Sequence, residues 1–238
     1  MPDKASAQSK KEQVAEMFNN IAGNYDLLNH VLSLGIDKTW RKKAIKVVAA
    51  IKPTAILDVA TGTGDLAIAA ARATEAHVTG LDIAAQMLEE GSKKISELGL
   101  AQRIDMQQGD SEALPFRTAS FDAVMCAYGV RNFENLEAGL REMQRVMRPG
   151  GQLAILEFSS PKAFPIKQLY GMYFKYILPT IGRMVSKHSR AYTYLPESVQ
   201  AFPDGQRFVD ILTKCGYSQA KARPLTLGVT TLYTATKA

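Results

Sequence analysis

A doubly wound α/β fold on a mostly parallel sheet is predicted for this 238-residue chain by three observations. A glycine turn, Ala60-Thr61-Gly62-Thr63-Gly64-Asp65, stands between an apolar strand-length run and an alanine-rich helical stretch. Runs of strand length then alternate with helical stretches as far as residue 158. The second run, His77 to Asp82, ends in a carboxylate one strand-helix-strand unit after that turn.

The elements follow in order. Residues 1–13 are polar and lysine-containing without an apolar stretch, so they read as a disordered tail rather than a signal peptide. Residues 14–238 read as one domain, opened by a helical cap at 14–52. Within the cap, Val14 to Ile21 and Asp26 to Leu34 look helical; Gly35 is a stop, and Asp37 caps a helix from Lys38 to Ile51. Beyond Pro53 come strand 55–60, helix 65–73, strand 77–82, helix 84–98 ended by Gly99, and strands 103–108 and 121–127. Helix 134–147 and strand 152–158 complete the alternation. A helix at 204–215, stopped by Gly216, leads to strands 217–223 and 228–236, an antiparallel hairpin at one edge.

Residues 159–202 interrupt this pattern before the last helix. Ile166, Leu169, Tyr170, Tyr173, Phe174, Ile177, Leu178, Ile181 and Val185 keep helical spacing, so one face must bury against something. Lys167 and Lys175 break the apolar run and Pro179 would kink it, which excludes a membrane span. Two readings stay open: a helical lid over a lipophilic substrate at a membrane surface, or ordinary core packing.

Bulk composition narrows the classes. With 46% hydrophobic residues the chain can bury a full core. Cys126 and Cys215 lie far apart and the three histidines do not cluster, so neither a zinc site nor a disulfide framework is expected, as suits a reducing cytoplasm. A net charge of +6 favours an anionic partner, or is simply a mildly basic surface.

Gly62, Gly64 and Ala67 satisfy G-x-G-x-x-G/A, which serves a dinucleotide or S-adenosylmethionine. Asp82 is placed to accept both hydroxyls of a ribose in either case. Asp65 separates the two, because a carboxylate in the first helical turn would repel a pyrophosphate but not a sulfonium or an ammonium.

Longer stretches are more specific. Tyr25-Asp26-Leu27-Leu28-Asn29 with Ser33 and Trp40, Asp58 through Asp65, Tyr128-Gly129-Val130-Arg131-Asn132, Arg145 through Gly151 leading to Leu156-Glu157-Phe158-Ser159, and Tyr194-Leu195-Pro196-Glu197-Ser198 all point one way. Through them the chain resembles the S-adenosylmethionine-dependent C-methyltransferases of ubiquinone and menaquinone biosynthesis, from Val14 to Lys237. It departs from that pattern at Asp37, where relatives usually carry histidine, and at Ala127, where they often carry serine.

The resemblance implies a Rossmann-like class I methyltransferase sheet that methylates a ring carbon of a prenylated hydroquinone, demethylmenaquinol or a benzoquinol. It implies that Thr63 and the amides of Gly62, Gly64 and Asp65 hold the methionine part of S-adenosylmethionine, Asp82 the ribose, and Asp110 with Ser111 the adenine. Arg131 and Asn132, after the fourth strand, are expected to stabilise a phenolate, with Tyr25 supplying a hydroxyl or a stacking face. Asp58 is expected to be structural, Trp40 core, and Glu157 a lining or loop-capping residue. Peripheral, transient contact with a membrane surface is implied, and a homodimer is compatible with the sequence. A nucleic-acid partner is not expected, because Ala127-Tyr128-Gly129-Val130 lacks the motifs of the base-methylating enzymes. A non-catalytic lipid-binding module would need a damaged glycine turn, and this one is intact.

Overall fold

The computed structural model describes residues 8–26, 33, 35–172 and 190–238. The first helix, α1 (Lys10–Ile21), starts inside the stretch read as a tail. Its cause is a capping box: the Ser9 side chain accepts the Glu12 amide while the Glu12 carboxylate accepts the Ser9 amide. A single helical turn at Ala22–Asn24 leads on, and the helix expected over Asp26 to Leu34 lies largely outside the described residues. Helix α2 (Asp37–Ala49) carries Trp40 and Val48 into the core, as expected for Trp40.

Strands β1 (Ala55–Val59), β2 (His77–Asp82), β3 (Ile104–Gln108), β4 (Phe121–Ala127) and β5 (Met147–Phe158) are parallel, with α3 (Asp65–Ala73), α4 (Ala85–Glu97) and α5 (Leu136–Val146) as crossovers. After the insertion come α8 (Gln206–Lys214), β6 (Tyr217–Leu225) and β7 (Thr230–Lys237); β7 runs antiparallel to both β5 and β6. The strand order is β3-β2-β1-β4-β5-β7-β6. Order reverses between β1 and β4, the switch point outside which open α/β sheets bind ligands.

Strand period sends neighbouring residues to opposite faces, and both faces are covered. Leu57, Val124 and Leu153 meet Leu140 and Met143 of α5 and Phe208 of α8 on one side. Ile56, Ala123 and Met125 meet Trp40 and Val48 of α2 and Leu66 of α3 on the other. Each fully buried side chain of this size contributes about 1.5–3 kcal/mol, which makes the sheet a rigid platform for the loops at its carboxyl edge.

The insertion is described at its two ends. Helix α6 (Ile166–Met172) buries none of its residues, whereas α7 (Arg190–Ala201) returns to the body through Tyr194, Ser198 and Val199. The rest of the apolar stripe, Tyr173 to Val185, lies outside the described residues together with Lys175, Pro179, Arg183 and Lys187.

Candidate active site

At the switch point the carboxyl ends of β1, β2 and β4 open into a cleft of about 680 Å³ of unfilled space, mouth included. Its lining brings together Tyr25, Gly62, Asp82, Asp110, Ser111 and Asn132, six of the residues singled out from sequence.

Asp82 closes β2 and holds the glycine turn: its Oδ2 accepts the Gly62 amide at 2.8 Å and its Oδ1 the Ala84 amide at 2.9 Å. Burial raises its pKa, and these amides oppose the rise. Each oxygen retains lone-pair capacity toward the cleft, where Leu81, Ile83 and Met87 add an apolar wall. Asp110 accepts Lys11 Nζ at 2.7 Å and the Glu112 amide at 2.9 Å, so it also caps its own turn. Burial pushes its pKa up, but Lys11 and that amide outweigh burial and hold it below the usual value. Helix α1 thus roofs the cleft, with Lys11, Val14 and Phe18 in the lining.

The turn itself depends on glycine. Gly62 and Gly64 have φ of +57° and +80°, a region costly for other residues. On the β4 side, a Cβ at Gly129 would sit 2.5 Å from Ala60 Cβ and 2.8 Å from Cys126 Sγ. The second loop therefore brings bare glycine backbone against the Ala60 methyl of the first.

Four residues singled out from sequence lie outside the lining of the cleft. Gly64, Thr63 and Asp65 do not line the cleft; Gly64 ends the turn, and the side chains on either side of it join an ion network. Thr63 Oγ1 donates to Asp26 Oδ1 at 2.5 Å and accepts Lys94 Nζ at 3.2 Å. Lys94 bridges Asp26 at 2.6 Å and Asp65 at 2.8 Å, while Arg41 bridges Asp65 at 2.9 Å and also Asp37. With two cations on its carboxylate, Asp65 cannot discriminate between cofactors by repulsion. Arg131 is the fourth. Its guanidinium is turned from the cleft onto Glu157 at 2.8 Å and onto the Tyr128 carbonyl, with Nε 3.3 Å from Ser198 Oγ and the group 5.5 Å over the Phe158 ring. Glu157 is 0% exposed and also accepts the Arg131 and Phe158 amides. Burial raises its pKa against the opposing pull of Arg131.

Asn132 faces the cleft beside Arg131, its Oδ1 accepting the Tyr194 hydroxyl at 3.0 Å. Tyr25 lines the same cavity edge-on to Phe18, ring centroids 5.9 Å apart. Asp58, beneath the glycine turn, accepts the Thr61 hydroxyl at 2.6 Å; burial raises its pKa to about 7 despite that bond. Sequence reasoning missed Tyr128, a cleft residue at φ +61° whose ring packs 4.4 Å from that of Phe158. Phe18 and Phe133 were also missed; nothing in their spacing separates cleft aromatics from core ones.

The sequence pattern of the ubiE/COQ5 methyltransferase family matches residues 6–237. The chain belongs to the ubiE/COQ5 methyltransferase family. It is 47% identical over 229 residues to a demethylmenaquinone methyltransferase of Bacteroides fragilis, covering 96% of this chain and 94% of that one. It is 45% identical to the ubiquinone/menaquinone biosynthesis C-methyltransferase UbiE of Geotalea daltonii, covering 96% and 97%. Among solved structures, the fold is shared with the [4+2]-cyclase SpnF (TM-score 0.70, 16% identity, 97% of both chains). It is shared also with an S-adenosylmethionine-dependent methyltransferase structure from Methanococcus maripaludis (TM-score 0.64, 19% identity, 99% and 97%). The ubiE/COQ5 chain is accordingly an S-adenosylmethionine-dependent methyltransferase. Its residues fit that cofactor: an acid at the end of β2, an apolar wall of Leu81, Ile83 and Met87, and Gly62, at φ +57°, bringing the backbone of the turn to the cleft. Among the described residues no group of three or more His, Cys, Asp or Glu could hold a metal ion.

Proposed function

We propose that this enzyme transfers a methyl group to a ring carbon of a prenylated hydroquinone, with demethylmenaquinol as the acceptor. One observation carries the reading: the cleft joins the acid-ended β2 to an aromatic wall of Phe18, Tyr25, Tyr128 and Phe133 with a single carboxamide, Asn132, at its edge. That wall suits a flat fused ring. The 47% identity to a demethylmenaquinone methyltransferase supports the naphthoquinol over a benzoquinol.

S-adenosylmethionine supplies an electrophilic methyl on a sulfonium. In this reading Asp82 takes the ribose hydroxyls, Asp110 and Ser111 lie beside the adenine, and the backbone of the glycine turn closes on the methionine part. The acceptor carbon becomes nucleophilic when the neighbouring phenol loses its proton, which leaves through water. Asn132 holds the resulting oxygen and Tyr25 aligns the ring, while the apolar walls exclude water and strengthen both contacts. Arg131 acts at one remove, fixing the loop that carries Asn132.

The polyprenyl tail points to a bilayer surface as the meeting place. Phe164, Leu169 and Met172 are 81%, 58% and 57% exposed, beside Lys162 and Lys167. Among the described residues no helix is long and apolar enough to cross a membrane, so the contact proposed is peripheral. Purified enzyme given methyl-labelled cofactor should label reduced demethylmenaquinol at carbon and a demethylated benzoquinol more slowly. Labelling of neither refutes the reading.

A further inference from the structure

Asn132 is useful to a phenolate only if its NH₂, not its carbonyl, points into the cleft, and an isolated carboxamide can present either. Tyr194 settles which. The Tyr194 hydroxyl is delivered by α7, the returning end of the insertion, and donates to Asn132 Oδ1 at 3.0 Å; Tyr194 and Asn132 are 7% and 9% exposed. Burial raises the Tyr194 pKa, with Arg131 pulling the other way, so the phenol keeps its proton and remains a donor. With Oδ1 engaged by Tyr194, Nδ2 is the amide atom left for the cleft that Asn132 lines. Nothing among the described residues accepts a hydrogen bond from Nδ2.

The arrangement is braced. Ser198, one turn along α7 from Tyr194, receives Arg131 Nε, and Arg131 in turn is locked on Glu157. The loop carrying Asn132 is therefore clamped from below by β5 and from the side by α7. We propose that Tyr194 is a positioning residue for methyl transfer: it touches neither reactant, and through its hydroxyl it sets Asn132 with Nδ2 toward the acceptor oxygen. The insertion then has a role inside the active site as well as over it. This inference rests on the quinol reading above.

Tyr194→Phe removes one oxygen and keeps the packing. Its turnover number should fall about tenfold, the effect of one ordinary buried hydrogen bond no longer fixing the amide. The melting temperature should fall by no more than about 2–4 °C per kcal/mol of the lost bond, and the affinity for S-adenosylhomocysteine should stay at its wild-type value. In Asn132→Ala the same Tyr194→Phe change should have no further effect on turnover, because the group it orients is gone. Equal losses from Tyr194→Phe in both backgrounds overturn the proposal, as does an unchanged turnover number in the single variant. A second measurement does not depend on the variant folding or on turnover: the Asn132 side-chain amide resonance of the wild type, identified by its absence in Asn132→Ala, should move when a short-tailed demethylated naphthoquinone is added. A resonance that stays put while the quinone binds overturns it too. Wild-type inactivity on both quinols, by contrast, is a failure of the functional reading, distinct from an active enzyme whose cycle is additive.

Discussion

The turn after β1 and the turn after β4 meet at Ala60 and Gly129, and each rests on one buried carboxylate, yet the two are stabilised in opposite ways. Asp58 under the first accepts the Thr61 hydroxyl and the Ala67 amide, with no cation among the described residues bonded to it and a pKa raised to about 7. Glu157 under the second has a guanidinium, Arg131, and two backbone amides. The first turn presents backbone to the cleft, held by Asp82 of β2, and sends Thr63 and Asp65 behind it. The second presents one carboxamide, Asn132, between the rings of Tyr128 and Phe133, and buries Arg131. A cofactor with a fixed shape is met by backbone, whereas an acceptor whose charge changes during reaction is met by an oriented dipole on a clamped loop.

If that contrast is right, the largest effect belongs to Glu157→Gln. It leaves the Arg131 guanidinium, 6% exposed, without its carboxylate, and should lower unfolding free energy by about 3–5 kcal/mol. Denaturant midpoints measure this, and a loss below about 1 kcal/mol would show that the clamp is dispensable.

Asp58 should act through pH. Its folded pKa, about 7, lies above the usual carboxylate value, so between pH 4 and 7 the folded state holds a proton that the unfolded chain releases. The stability this contributes is full below pH 4 and is lost as pH rises through 7, by at most about 4 kcal/mol. Measured against Asp58→Asn, the wild type should weaken across that window; parallel curves would place Asp58 ionised throughout.

Smaller again is the comparison of two aspartates that sequence alone treats alike. Asp82→Asn should weaken S-adenosylhomocysteine by 10- to 100-fold in calorimetry, from the loss of charge-assisted hydrogen bonds of about 1.5–3 kcal/mol. Asp65→Asn, whose partners Lys94 and Arg41 are partly solvated, should cost about 1 kcal/mol of stability or less and leave that affinity unchanged. Equal losses of affinity in both variants would erase the distinction between the two faces of the turn.

Sequence made the sheet readable because strand and helix periods are local. Strand 77–82 was placed to the residue, and 55–60 and 103–108 to within one. The start of α1 was equally local, written in Ser9 and Glu12, and was passed over because the flanking lysines looked like tail. Side-chain direction in the loops was not readable. Gly64, at φ +80°, turns the chain so that Thr63 and Asp65 join Lys94 and Asp26, which lie 31 and 37 residues from Thr63. Arg131 and Asn132 are adjacent in sequence and face different ways because the 3₁₀ turn Val130–Asn132 rotates successive side chains by a third of a revolution. Their partners, Glu157 and Tyr194, are 26 and 62 residues away, and no spacing rule connects them.

The central claim is the division of labour between Asn132 and Arg131, and a crystal structure with S-adenosylhomocysteine and a demethylated naphthoquinone tests it most directly. Asn132 Nδ2 should lie within hydrogen-bond reach of a ring oxygen, Tyr194 should still hold Oδ1, and the Arg131 guanidinium should remain on Glu157. A guanidinium swung out to the quinone, with Asn132 turned away from it, would contradict the account.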